Sequence, residues 1–256
     1  MKPTSSGRFG EIIRRSPERT LYNAQMASST TPGPESEEHF DARQRWISLA
    51  EFALGASIVI LHNVYHRVPN EVPILFVLGW ISIRVRNGGW KTVGLKQPDS
   101  WRKTILWGLA VGVLVMVAGE LANALGERIW HTAAKVSSVI EDAKASWKMA
   151  LASLGLVWTF AAFGEEMGYR GYLLTRAAEA GNRSRLGYVV ALLASSILFG
   201  YGHYYKGPPG ILQSTVSGLI LGGAYLLSRR NLWISILAHG CADTIAILAV
   251  FFGLAD

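Results

Sequence analysis

The sequence is poor in cysteine and poor in charge. Cys241 is the single cysteine, so no internal disulfide can form and a disulfide-stapled secreted scaffold is excluded. Asp, Glu, Lys and Arg make up 17% of the 256 residues, against roughly 25% in an ordinary soluble domain. Half of the residues are apolar and the mean hydropathy is +0.24, which excludes a disordered chain and argues against a soluble one. The alternating pattern of a transmembrane β-barrel is missing. No apolar stretch precedes Trp46, so the start does not read as a secretory signal peptide. Internal repeats are also missing.

The net charge is +7 and the pI about 9.6. In a soluble protein that balance would suggest nucleic acid as a partner. Here the basic residues sit in loops between apolar runs, the arrangement that fixes a membrane protein's orientation, so the expected partner is the lipid bilayer and no nucleic acid. Residues 1–45 hold most of the polar sequence, with Ser, Thr, Pro and Glu dominating 28–38. They cannot bury a core and read as a disordered tail. Arg8, Arg14, Arg15 and Arg19 suit a transit peptide, whereas Glu11 and Glu18 argue against one, and Met26 is a second candidate start.

Residues 46–256 read as an all-α, polytopic transmembrane bundle of about seven spans. A helix crossing about 30 Å of hydrocarbon needs about 20 apolar residues. The candidate runs are Trp46–Tyr65, Val72–Val85, Ile105–Leu125, Met149–Leu174, Leu186–His203, Ile211–Ser228 and Leu232–Leu254. The second is short and begins beside Pro73, so a re-entrant or thin span is the alternative there. With seven spans, loops 86–104, 175–185 and 229–231 share one side. They hold Arg86, Lys91, Lys96, Arg102, Lys103, Arg176, Arg183, Arg185, Arg229 and Arg230. The opposite loops are poorer in Lys and Arg or balanced by acids. This bias predicts a cytoplasmic N-terminus and a C-terminus outside. Segment 90–103, with its Trp, Lys and Arg residues, reads as interfacial.

Ionisable residues inside a bilayer are costly and usually functional. Three of the runs carry them: Glu165, Glu166 and Arg170 in the fourth, His203 at the end of the fifth, His239 and Asp243 in the seventh. Glu166 and Arg170 are four apart and share a helix face, which suits a structural ion pair. Glu165 is turned about 100° from Glu166 and presents to a different neighbour. His239 and Asp243 are again four apart. A centre that activates water needs a base, a second group to hold the water, and donors for developing negative charge. Glu165, His203 and the His239/Asp243 pair can fill those posts. Singly, each has a plainer reading: His203 as an interfacial residue, His239–Asp243 as a helix–helix hydrogen bond. Gly164, Gly168, Gly171, Gly200, Gly202 and Gly240 permit the close helix approach that a shared site requires. Elsewhere, Glu51 and Glu120 read as interfacial, His62 and His66 as headgroup-facing rather than as a metal pair, and Cys241 as a small packing residue.

These residues carry a family resemblance. Glu165-Glu166-Met-Gly-Tyr-Arg170, Phe199-Gly-Tyr-Gly-His203 and His239-Gly-Cys-Ala-Asp243 resemble, in order, the EExxxR, FxxxH and HxxxN/D motifs of the CPBP intramembrane proteases. These are also called the CAAX protease and bacteriocin-processing (Abi) family. Arg170–Leu173 matches the family's Arg-Gly-Tyr-Leu continuation, and Gly94, Leu95, Pro98 and Trp101 match its Gly-Leu…Pro…Trp stretch, so the likeness covers about residues 92–252. It implies a glutamate-dependent endopeptidase without a metal or cofactor, acting on a membrane-associated peptide or protein. Under it Glu165 is the base, His203 helps activate water, and His239 and Asp243 stabilise the oxyanion. Glu166, Arg170 and Phe199 support the site. Prenyl-protein proteases usually carry Asn where this chain has Asp243. An ionised Asp only accepts hydrogen bonds, so it either donates when protonated or orients His239, and a CaaX substrate is not assured. Depth is a second difficulty: counted along the spans, Glu165 and His239 lie about 14 and 10 Å from the basic side and His203 about 25 Å.

Two further functions compete. A metal-dependent membrane peptidase could use Glu, His and Asp as ligands, although HExxH is absent and Arg170 would neutralise Glu166. A non-catalytic membrane scaffold or bacteriocin-immunity protein would keep the fold without the chemistry. A transporter fits less well, since the polar residues lack a paired half.

Overall fold

A computed structural model describes residues 40–86 and 88–254. The greater part of the tail, 1–39, lies outside the described residues. Residues 42–45, assigned to the tail from sequence, instead form the first turn of a helix. The cause is a capping box: Asp41 Oδ1 accepts from the Gln44 amide at 2.7 Å, and Gln44 Oε1 accepts from the Asp41 amide at 3.1 Å.

All seven apolar runs form helices, and the described residues contain no strand. They are α1 (Ala42–Asn63), α2 (Glu71–Val85), α3 (Trp101–Trp130), α4 (Trp147–Ala180), α5 (Arg185–Tyr201), α6 (Gly207–Leu227) and α7 (Leu232–Phe251). Their starts follow local chemistry. The side chains of Asn70, Ser100, Ser146, Ser184 and Asn231 each accept from a backbone amide of the first turn. In α6, Pro208 and Pro209 stand in the first turn, where a missing N–H leaves no bond unmade.

Five helices are long and apolar enough to cross a membrane by length and composition: α1, α3, α4, α6 with its preceding turn, and α7. α5 has 17 residues and α2 has 15, and α2 is therefore about 22 Å long. Outward faces stay apolar, with Leu106, Trp107, Leu121 and Leu186 all more than 60% exposed. A soluble protein would not leave such faces bare; hydrocarbon is the solvent they fit.

The helices run alternately between two ends. At one end, Arg45 Nε donates to the Ala180 carbonyl at 3.0 Å, Arg86 reaches Glu179, and Leu232 N donates to the Gly94 carbonyl at 3.1 Å. This gathers the loops at 86–100, 181–184 and 228–231, the basic ones. Gly94 is required there: its φ is +92°, and a Cβ on it would fall 2.1 Å from the Arg230 carbonyl oxygen. Trp90 stacks on Phe76 at 5.4 Å. At the other end, Lys135 N donates to the Lys206 carbonyl at 3.0 Å, and His62 meets Glu71.

α4 is the axis of the bundle. Each of its residues from Met167 to Leu174 is buried. Tyr169, Tyr172 and Leu173 pack with Val59, Leu75 and Phe199, while Met167 and Leu174 pack with Ala191, Tyr225 and Leu232. Its winding departs from the α-helix: Val157–Glu165 and Met167–Leu174 are π-helical, with Glu166 between them. A π stretch is rare and concentrates at functional sites. Here it runs through the first motif, interrupted only at Glu166.

Candidate active site

The first motif lies at the middle of α4. Glu166 is fully buried, and its Oε1 accepts from two donors: Arg170 Nη1 at 2.7 Å and His239 Nδ1 at 2.9 Å. Arg170, also buried, donates a second bond to the Gly218 carbonyl at 3.2 Å and lies over the Phe199 ring, 4.5 Å from its centroid. The i,i+4 pair expected from spacing is therefore present, and it also reaches α7 through His239 and α6 through Gly218.

His239 is held from both sides. With Nδ1 donating to Glu166, its Nε2 stands 3.5 Å from Asp243 Oδ2 on the next turn of α7. That is ion-pair range rather than a short hydrogen bond. An imidazole donates to a carboxylate on each side only when both ring nitrogens carry a proton. Asp243 thus stands beside His239. α7 can approach α4 this closely because of Gly240. A Cβ there would fall 2.6 Å from the Trp158 ring, whose Nε1 donates to Thr244 Oγ1 at 3.1 Å.

His203 falls just beyond α5, which ends at Tyr201 and not at His203 as read from sequence. The chain turns at Gly202, and the ring folds back so that Nδ1 donates to the Phe199 carbonyl at 2.9 Å. A carbonyl only accepts, so Nδ1 carries the proton, and in a neutral ring Nε2 is a free acceptor. Phe199 lies between the two histidines, 4.9 Å from the His203 ring and 5.9 Å from the His239 ring. Despite their different depths as counted along the spans, both histidines line one cavity, with Phe199 between them.

Glu165 differs from its neighbour. Its Oε2 is shielded from solvent and has no hydrogen-bond partner among the described residues. It lines a cavity of about 810 Å³ whose walls also carry His203, His239 and Asp243. The four residues expected to do chemistry thus face one space. The three expected to support them, Glu166, Arg170 and Phe199, are buried behind it.

The cavity wall also holds residues outside the three motifs. Glu71 is 5% exposed, lines the cavity and meets His62 Nε2 through Oε2 at 3.3 Å. His62 was read as headgroup-facing; it lines the same wall, and its Nδ1 donates to the Val68 carbonyl at 3.0 Å. His66 is outside the helix at φ +53°, so the two do not face each other as an i,i+4 metal pair. Lys206 also lines the cavity. Glu51, read as interfacial, belongs to the ion network of the basic end, bound by Arg86 at 2.9 Å and Arg176 at 3.1 Å. Among the described residues no group of three His, Cys, Asp or Glu side chains is disposed to hold a metal ion.

The fold and this site define an integral membrane protein built around an intramembrane carboxylate–imidazole cluster. Residues 147–245 match the family model described as "Type II CAAX prenyl endopeptidase Rce1-like". Over this stretch the chain is similar to the CAAX protease family, which is a family of proteases. The match runs from the start of α4 into α7 and contains all three motifs; the Gly94–Trp101 stretch lies outside it. No curated protein and no solved structure gives a significant match.

Proposed function

We propose that the protein is an intramembrane endopeptidase in which Glu165 activates water to hydrolyse a peptide bond of a membrane-associated substrate. The observation that carries this is the contrast between adjacent carboxylates. Glu166 is fully buried and its Oε1 accepts from two donors, whereas Glu165 has no donor among the described residues and lines a large cavity. A general base needs that freedom, since its lone pair must reach the proton it removes.

The water would lie between Glu165 and His203, with His203 Nε2 as a second acceptor because its Nδ1 is committed to the Phe199 carbonyl. As the water's oxygen attacks the scissile carbonyl carbon, its proton passes to Glu165. The carbonyl oxygen gains negative charge near His239, which carries a proton on each nitrogen when it donates to both Glu166 and Asp243. A fixed positive charge in a water-poor site stabilises that oxyanion strongly. Glu165 then passes its proton to the leaving amine as the C–N bond breaks. In this scheme Asp243 is a positioning residue, which accounts for Asp where prenyl-protein proteases usually carry Asn.

The test is cleavage by detergent-purified protein of two reporters, a farnesylated CaaX peptide and an unmodified membrane-spanning peptide. Wild type should cleave at least one, with or without chelator, and Glu165→Ala should cleave neither. Activity retained by Glu165→Ala overturns the mechanism. Loss in chelator with recovery on Zn²⁺ moves it to a metal. A folded wild type that cleaves neither reporter favours the scaffold reading.

A further inference from the structure

The walls of the cavity come from one end and the middle of the bundle. Its walls come from the end of α1, the start of α2, the connection 135–141, the turn 202–206 and the facing sides of α4 and α7. None of its lining residues belongs to the basic loops 86–104, 175–185 or 229–231. That opposite end is closed: Leu232 N bonds the Gly94 carbonyl, the Tyr225 hydroxyl donates to the Val93 carbonyl at 3.1 Å, and Glu179 gathers Arg86, Arg176 and Arg183.

The two ends differ in charge as well as in access. The basic loops hold ten Lys and Arg against two acids, Asp99 and Glu179. The loops at the cavity's end hold six, Arg67, Arg128, Lys135, Lys144, Lys148 and Lys206, against Glu71, Glu127, Glu141 and Asp142. Short loops rich in Lys and Arg stay on the cytoplasmic side of a membrane. We infer that the cavity opens to the non-cytoplasmic side, and that the site takes peptide segments presented from that side. This rests on reading the cavity as the peptidase site. From Glu165, near the middle of α4, to the mouth at 135–141, the whole approach lies in the non-cytoplasmic half. A tail presented by a cytoplasmic protein would meet the closed end.

The inference is tested by single-cysteine labelling, which does not depend on activity. On a Cys241→Ser background, Ser138→Cys places a thiol at an exposed position of the cavity mouth, and Gln97→Cys places one at an exposed position of the basic end. The full chain is expressed in bacteria, and intact cells are treated with a membrane-impermeant maleimide, then permeabilised and treated again. Ser138→Cys should label in intact cells at least tenfold more than Gln97→Cys, and Gln97→Cys should label fully only after permeabilisation. Ser138→Cys that stays unlabelled until permeabilisation overturns the inference, as does equal labelling of both thiols in intact cells. Adding Glu165→Ala should leave the pattern unchanged, so a failed topology and a failed catalytic reading give different results.

Discussion

At the basic end, Glu179 accepts from Ser48, Arg86, Arg176 and Arg183, and Glu51 accepts from Ser82 while pairing with Arg86 and Arg176. At the cavity end, the one comparable ion contact among the described residues is His62 to Glu71. The first end ties α1, α2, α4 and the loop after α4 into one cross-linked layer. The second leaves a space of about 810 Å³ between the same helices. The same division appears within one turn of α4, where Glu166 Oε1 holds Arg170 and His239 and Glu165 has no donor among the described residues. Under the proposed mechanism, rigidity and reactivity are placed in different residues, the structural charge on Glu166 and the base on Glu165.

That division can be broken from either side. Glu165→Gln removes the base and little else, so cleavage should fall by about 10²–10⁴-fold while thermal unfolding in detergent is nearly unchanged. Glu166→Ala should do the reverse first. It leaves Arg170 buried without its carboxylate and His239 without its Nδ1 partner, at a cost of about 3–5 kcal/mol; a large drop in unfolding midpoint should accompany any loss of activity. Glu179→Ala attacks the cross-linked end. Arg86 and Arg183 are partly exposed and can turn to water, so the expected loss is smaller, about 2 kcal/mol, with the activity of the folded fraction retained. Cys241→Ser, inside the third motif but with no assigned chemistry, should shift stability by less than about 0.5 kcal/mol and leave cleavage intact. A large loss of activity there would mean that the thiol, and not Glu165, takes part.

Much of the fold was legible because a bilayer demands apolar runs of fixed length. Each of the seven runs begins within about four residues of its helix, a normal margin, and the errors have local causes such as the Asp41 capping box. The site was legible where spacing alone settles contact: Glu166 with Arg170, His239 with Asp243. What spacing does not contain is distance between helices. The bond from His239 to Glu166 joins residues 73 apart. The His62–Glu71 contact depends on how the 64–70 loop turns. The π winding of α4 was not legible either, since ordinary apolar residues form it and only the packed bundle selects it. Glu51 and Glu179 look like stray charges until the ends of α1, α2 and α4 are brought together.

The most direct test of the central claim is the cleavage rate of Glu165→Gln, measured beside wild type on the same reporter with the unfolding midpoint of each preparation. The account predicts a protein that melts where wild type melts and cleaves at least a hundredfold more slowly. A Glu165→Gln protein that is equally stable and still cleaves within a few-fold of wild type would contradict it.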